Sequence, residues 1–134
     1  MNLRKLHFNK LTYCGIRDID EFEGSTIKEN NIRVLGVADT IDYIKRVDGP
    51  IHISFDVDAL DPQLVDSTGT KVPDGLEAEE VSAIIKAALE MEKLVSMDVV
   101  EFNIELGDHV NSLLAVKRVF DPDADSTDTE SHIV

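Results

Sequence analysis

Short β-branched runs alternate with helical stripes along this chain, and that alternation limits the fold more than any other feature. Four runs have the length and branching of buried strands: Leu11–Ile16, Ile32–Val37, Pro50–Val57 and Leu94–Val100. Between them lie helical patterns. The clearest, Glu77–Lys93, sets Val81, Ile84, Ile85, Ala88 and Leu89 on one stripe. Asp39–Val47 brings Ile41, Ile44 and Val47 to one face, and Asp108–Phe120 is expected to turn Val110, Leu113, Leu114 and Val116 or Lys117 inward. Glu21–Asn30 carries a weaker helical pattern. Strands alternating with helices predict an α/β fold, a parallel sheet with helices on both faces. Right-handed crossovers then place every strand's C-terminal end on one edge, where open α/β sheets bind ligands.

A chain of 134 residues buries roughly two thirds of its unfolded surface, enough for one core without staples. The expected organisation is a single unit over 1–120 followed by an acidic, disordered tail over 121–134, where five acidic residues stand with no Lys or Arg. Net charge is −14, with 27 acidic against 13 basic residues, which disfavours nucleic acid as a partner and suits metal ions or cationic small molecules. No apolar run approaches the about 20 residues of a membrane span, and no apolar stretch follows the basic residues of the start. The single cysteine, Cys14, excludes an internal disulfide framework and fits a reducing, cytoplasmic setting.

The acids fall where the sheet edge would be. Asp18 and Asp20 follow the first strand, Asp56 and Asp58 close the third, and Glu101 closes the fourth. Like charges gathered on one rim repel unless cations neutralise them, so the placement points to a divalent metal, a cationic ligand, or both. The densest signal runs from Ser54 to Pro62 (SFDVDALDP) and on through Ser67-Thr68-Gly69-Thr70 to Gly75. Period-2 geometry would aim Asp56 and Asp58 to one side of an ending strand, with Val57 facing the helices and Pro62 ending the strand. Paired carboxylates suit hard or borderline ions such as Mg²⁺ and Mn²⁺. An EF-hand is excluded because its required glycine is missing. A Mg²⁺-dependent phosphatase of the Asp-x-Asp type remains an alternative, although Leu60 stands where such enzymes place Thr or Val.

The longer strings resemble the arginase branch of the ureohydrolase family. Ile51–Gly75 resembles its last metal-ligand signature with a Thr-Gly-Thr loop, Tyr13–Glu23 its Gly-hydrophobic-Arg-Asp-hydrophobic-Asp segment, and Met97–Gly107 its Asp-x-x-Glu-x-Asn segment. The resemblance implies the C-terminal half of the arginase fold and hydrolysis of L-arginine to L-ornithine and urea with two Mn²⁺, in a homo-oligomer, trimer or hexamer. It makes Asp56 the carboxylate shared by both ions and Asp58 a ligand of one. It makes Glu101 the partner of the substrate guanidinium, Thr70 a supporting hydroxyl, and Asp20 with Glu23 the contacts of the α-amino group. Arg17 and Asp18 it places as structural members of their loop. The Glu101-Phe102-Asn103 string and an acid at Asp20 favour arginase over an agmatinase-type relative.

Departures from the pattern matter as much. The family's N-terminal half supplies a His ligand and an Asp-x-His-x-Asp cluster; here His7, His52, His109 and His132 are scattered and outside any such context. The isolated chain is therefore expected to be nearly inactive, and an inactive ureohydrolase-like binding or regulatory subunit is an alternative. Ala59 replaces a Gly, Asp66 a Pro, and Ile104 the Pro after Asn103, while Glu77 stands where a Thr or Ser helix cap is usual.

Overall fold

The computed structural model describes residues 5–123. A short 3-10 turn, Phe8–Lys10, leads into β1 (Thr12–Cys14), α1 (Glu21–Glu29), β2 (Arg33–Leu35), α2 (Val37–Arg46) and β3 (Ile51–Asp56). A second 3-10 turn, Val57–Ala59, precedes α3 (Ala78–Glu90), β4 (Leu94–Val100) and α4 (His109–Phe120). The fold is α/β with parallel strands, as the alternation predicts. Pairing occurs in two ladders, β1 with β2 and β3 with β4, both parallel. Most of the acidic tail lies outside the described residues.

Three of the four helices begin at side-chain caps. Asp20 caps α1 by accepting from the Glu23 amide, and the Glu23 carboxylate accepts from the Asp20 amide in return, a capping box. Asp108 caps α4 by accepting from the Asn111 amide. At α3, the Glu80 carboxylate accepts from the Glu77 amide, so the acid at the cap position is accommodated without Ser or Thr. The ammonium of Lys93 donates to the carbonyls of Ile44, Lys45 and Val47, closing the C-terminal end of α2 with a positive charge where that end is negative.

The core lies between one face of β3–β4 and the helices α3 and α4. Phe55, Val57, Leu60, Val65, Ala78, Val81, Ile85, Ala115 and Val119 form its buried cluster. A smaller cluster joins Ile44 of α2 to Ala87 and Ala88 of α3. Gly75 lets the loop before α3 lie directly on the main chain at Leu60 and Asp61, because a Cβ there would stand 2.3 Å from the Asp61 nitrogen.

The expected face of α4 is corrected. Val110, Leu113 and Leu114 are exposed, and Ser112, Ala115 and Val119 are buried instead. The Ser112 hydroxyl accepts from the amides of Asp66 and Ser67, which draws the small-residue face of the helix onto that loop. Among the described residues, no helix is long and apolar enough to cross a membrane.

Candidate metal and substrate rim

The third strand stops at Asp56, earlier than its branching predicts. The Asp56 carboxylate accepts from the Asp58 amide at 2.8 Å, turning the chain into the 3-10 segment that holds Val57 at the centre of the core. Asp58 therefore reaches the rim from a turn, and the expectation that strand alternation aligns it with Asp56 is corrected. So is the role given to Pro62, since the β3–β4 ladder has already ended at Asp56 and an isolated bridge from Leu60 to Leu76 follows it.

Register brings Glu101 to the same place. Asp56 pairs with Val100 across the parallel ladder, so Glu101 is the first residue past the end of β4. Its φ is +65°, a left-handed conformation that a non-glycine residue adopts at a cost of order 1 kcal/mol. Glu101 then opens onto a cleft of about 750 Å³ lined also by Gly69, Asn103, Ile104 and Leu106. The loop that carries it is pinned at both ends. The Asn103 amide donates to the Ser67 carbonyl, and the Asp108 amide donates to the Asp66 carboxylate at 2.7 Å. Gly107, at φ +61°, is needed there, because a Cβ would fall 2.3 Å from Asp66 Oδ1.

Asp56, Asp58 and Glu101 thus form the acidic rim. Burial, then the charges of Asp56 and Glu101, push the Asp58 carboxyl up to about 6, and the Arg17 guanidinium offsets part of that rise. Asp58 Oδ1 is buried with no hydrogen-bond partner. A buried acceptor left unsatisfied is unusual in a native fold, and a cation is the partner that suits a carboxylate. The donor chemistry fits a hard divalent ion, in part. Among the described residues, no three His, Cys, Asp or Glu converge closely enough to hold one, and such an ion takes about six ligands.

The remaining predicted residues are placed differently. Asp20 and Glu23 lie at the start of α1, exposed, each spending one carboxylate oxygen on the capping box. Thr70 is exposed in the loop after Gly69. Asp61, beside the rim, is held below the usual carboxylate range chiefly by the Gln63 amide, which it accepts in a tight turn. Sequence reasoning gave Arg17 only a loop role, yet its Nη1 donates to the carbonyls of Gly15 and Ala59, and its Nη2 to those of Asp58 and Val72. It also missed Asp66. Both act on main-chain groups, which leave no spacing pattern to read.

A parallel α/β scaffold with an acidic rim at its strand ends is what the fold and site define. The profile of the family described as "Arginase family" matches residues 2–121, and the chain belongs to that family. It is 42% identical over 113 residues to an arginase of Emericella nidulans, a match covering 76% of this chain and 35% of the relative. It is 35% identical to an arginase of Staphylococcus aureus, over 83% of this chain and 41% of that one. Among solved structures, the arginase of Entamoeba histolytica in complex with L-ornithine superposes with a TM-score of 0.66 at 30% identity, over 81% of this chain and 42% of that one. The Bacillus subtilis arginase gives 0.67 at 26% identity, over 81% and 44%. The chain spans about a third to two fifths of the length of these curated relatives.

Proposed function

We propose that this chain supplies one side of an arginase-type active site, for hydrolysis of L-arginine to L-ornithine and urea, and not the whole of it. The observation that carries the reading is the buried, unpartnered Oδ1 of Asp58, set beside Asp56 and Glu101 at the ends of paired strands. Asp56 and Asp58 would be ligands of a Mn²⁺ pair. Bound there, the ions would supply Lewis acidity and water activated at neutral pH.

The chain's own residues account for binding. The exposed Glu101 carboxylate offers two oxygens to a guanidinium, whose donors match that fork. The left-handed backbone at Glu101 and the pinned loop behind it fix its direction. Asp20 and Glu23 would receive the α-amino group, each keeping one oxygen beyond its capping bond. Thr70 would donate its hydroxyl to Glu101 or to the product urea. An arginine substrate is preferred to a decarboxylated one on the likeness to arginases, since both substrates carry the ammonium that these two acids would receive. Assembly as a homo-oligomer and a cytoplasmic setting belong to the same reading.

A second reading has its own support. The described residues gather no complete ligand set, which favours a ureohydrolase-like binding or regulatory subunit. Urea release from L-arginine with added Mn²⁺ separates the two. The purified chain is expected to release little urea alone, with activity appearing when it is co-expressed with the remaining length of a related arginase. Activity in that pair should be abolished by Asp58→Asn. A pair that associates yet stays inactive supports the regulatory reading, and ordinary arginase rates from the chain alone overturn the ligand argument.

A further inference from the structure

Arg17 is the most heavily bonded side chain at the rim, and none of its bonds goes to a carboxylate. Its Nη2 donates to the Asp58 carbonyl at 2.7 Å and the Val72 carbonyl at 2.9 Å. Its Nη1 donates to the Ala59 carbonyl at 2.9 Å and to Gly15 in its own loop at 3.3 Å. One planar fork thus joins three stretches of chain: the loop after β1, the 3-10 turn after β3, and the loop between Thr70 and Gly75. Its Nε is buried without a partner, a cost accepted in return for the geometry of the two terminal nitrogens. Among the described residues Arg17 forms no salt bridge, although its charge is felt at Asp58 and Asp61.

That choice of acceptors has a consequence. A guanidinium placed among carboxylates ordinarily pairs with them bidentately and uses up their oxygens. Here the fork is saturated by main-chain carbonyls, so its charge lies close to Asp58 while the Asp58 Oδ1 stays without a hydrogen bond. We propose that Arg17 is a positioning residue for the metal side of the rim: it fixes the Asp58 turn through the main chain and so leaves the Asp58 carboxylate open to a divalent cation. The metal part of this proposal rests on the arginase-type reading above; the clamp itself does not.

The test uses the full 134-residue chain, ¹⁵N-labelled, as wild type, Arg17→Lys and Arg17→Ala. Without metal, hydrogen exchange at Leu60 and Leu76 reports the clamped turn, since these amides donate to the Val57 and Ala59 carbonyls. Exchange at Ile85 and Val119 reports the core. Arg17→Ala should speed exchange at Leu60 and Leu76 by about tenfold or more, the effect of losing charged hydrogen bonds, with the core amides unchanged. Millimolar guanidinium should restore protection to that variant where ammonium does not, and Arg17→Lys should fall between. With Mn²⁺ as the probe, paramagnetic broadening of the Val57–Ala59 amides should need about tenfold more metal in Arg17→Ala than in wild type. Unchanged exchange at Leu60 and Leu76, or equal Mn²⁺ dependence, overturns the proposal. So does loss of protection that reaches Ile85 and Val119 and does not return with guanidinium. Absence of broadening in the wild type overturns the metal reading instead, and exchange then decides the clamp alone.

Discussion

The two parallel ladders of this molecule are built to different standards. Around β3–β4, two helices bury a continuous cluster from Phe55 to Val119, and α3 alone hides five residues. Around β1–β2, each strand has three residues, α1 buries none of its side chains, and Phe22 stands 79% exposed. Under the proposed arginase-type reading, the difference would divide the tasks. Asp56, Asp58 and Glu101 are mounted on the packed ladder, where the backbone that aims them is held by the core. Asp20 and Glu23 sit on the thin one, where a capping box does the aiming. Ion ligands, the role proposed for Asp56 and Asp58, require placement to a fraction of an ångström, whereas contacts to a solvated ammonium, the role proposed for Asp20 and Glu23, tolerate more.

The largest effect should come from cutting into the packed side. Leu60 is 1% exposed and follows the Asp58 turn directly, so Leu60→Ala should cost about 2–5 kcal/mol in denaturant unfolding. Phe22→Ala on the thin side should change stability by no more than about 0.5 kcal/mol. Equal losses for the two would erase the contrast between the ladders. Next comes the latch on the Glu101 loop. Asp66→Ala removes the acceptor of the Asp108 amide and of the Ser112 hydroxyl, and should cost about 1–2 kcal/mol. Exchange at the Asp108 amide should quicken with it; an unaltered rate there would show that the carboxylate holds nothing.

Much of this plan can be read from residues alone, and the failures have physical causes. Strand branching located all four strands, and the α3 stripe proved to be core except at Leu89, which is 57% exposed, because burial by period is a local signal. Alternation misplaced Asp58, since one hydrogen bond from its amide to the Asp56 side chain ended the strand there. The inner face of α4 was misjudged for a related reason: hydrophobicity favoured Val110, Leu113 and Leu114, but the Ser112 hydroxyl is claimed by two loop amides. The departure at Asp66 makes sense only in three dimensions. Its amide donates to Ser112 Oγ, a bond that a proline could not make. Arg17 was equally opaque, its four acceptors being carbonyls that every residue carries.

On the thin ladder the cap itself can be tested. Asp20→Ala removes the acceptor of the Glu23 amide and should cost about 0.5–1 kcal/mol, felt as faster exchange confined to the first turn of α1. Spread of that loss to α3 would mean the two ladders share one cooperative unit more tightly than their packing implies.

One predicted change has the opposite sign, and it asks whether the packed ladder gives up stability to hold its acids together. Asp58 titrates near 6 in the fold against 3.8 for an ordinary aspartate, so the folded chain keeps its proton over a range where the unfolded chain has lost it. Stability contributed by this group must fall as pH rises from about 4 to about 6, and stay at its lower level above that. Asp58→Asn removes the penalty. At pH above 7 it should stabilise the metal-free chain by up to about 1 kcal/mol, a figure kept small by solvent screening at this partly exposed carboxylate. Below about pH 4 the gain should vanish. Added Mn²⁺ should then raise the melting temperature of the wild type and leave the variant unmoved, reversing their order. A variant less stable than the wild type at neutral pH without metal would mean that the Asp58 charge is already satisfied inside the fold, and the rim would have no need of a cation.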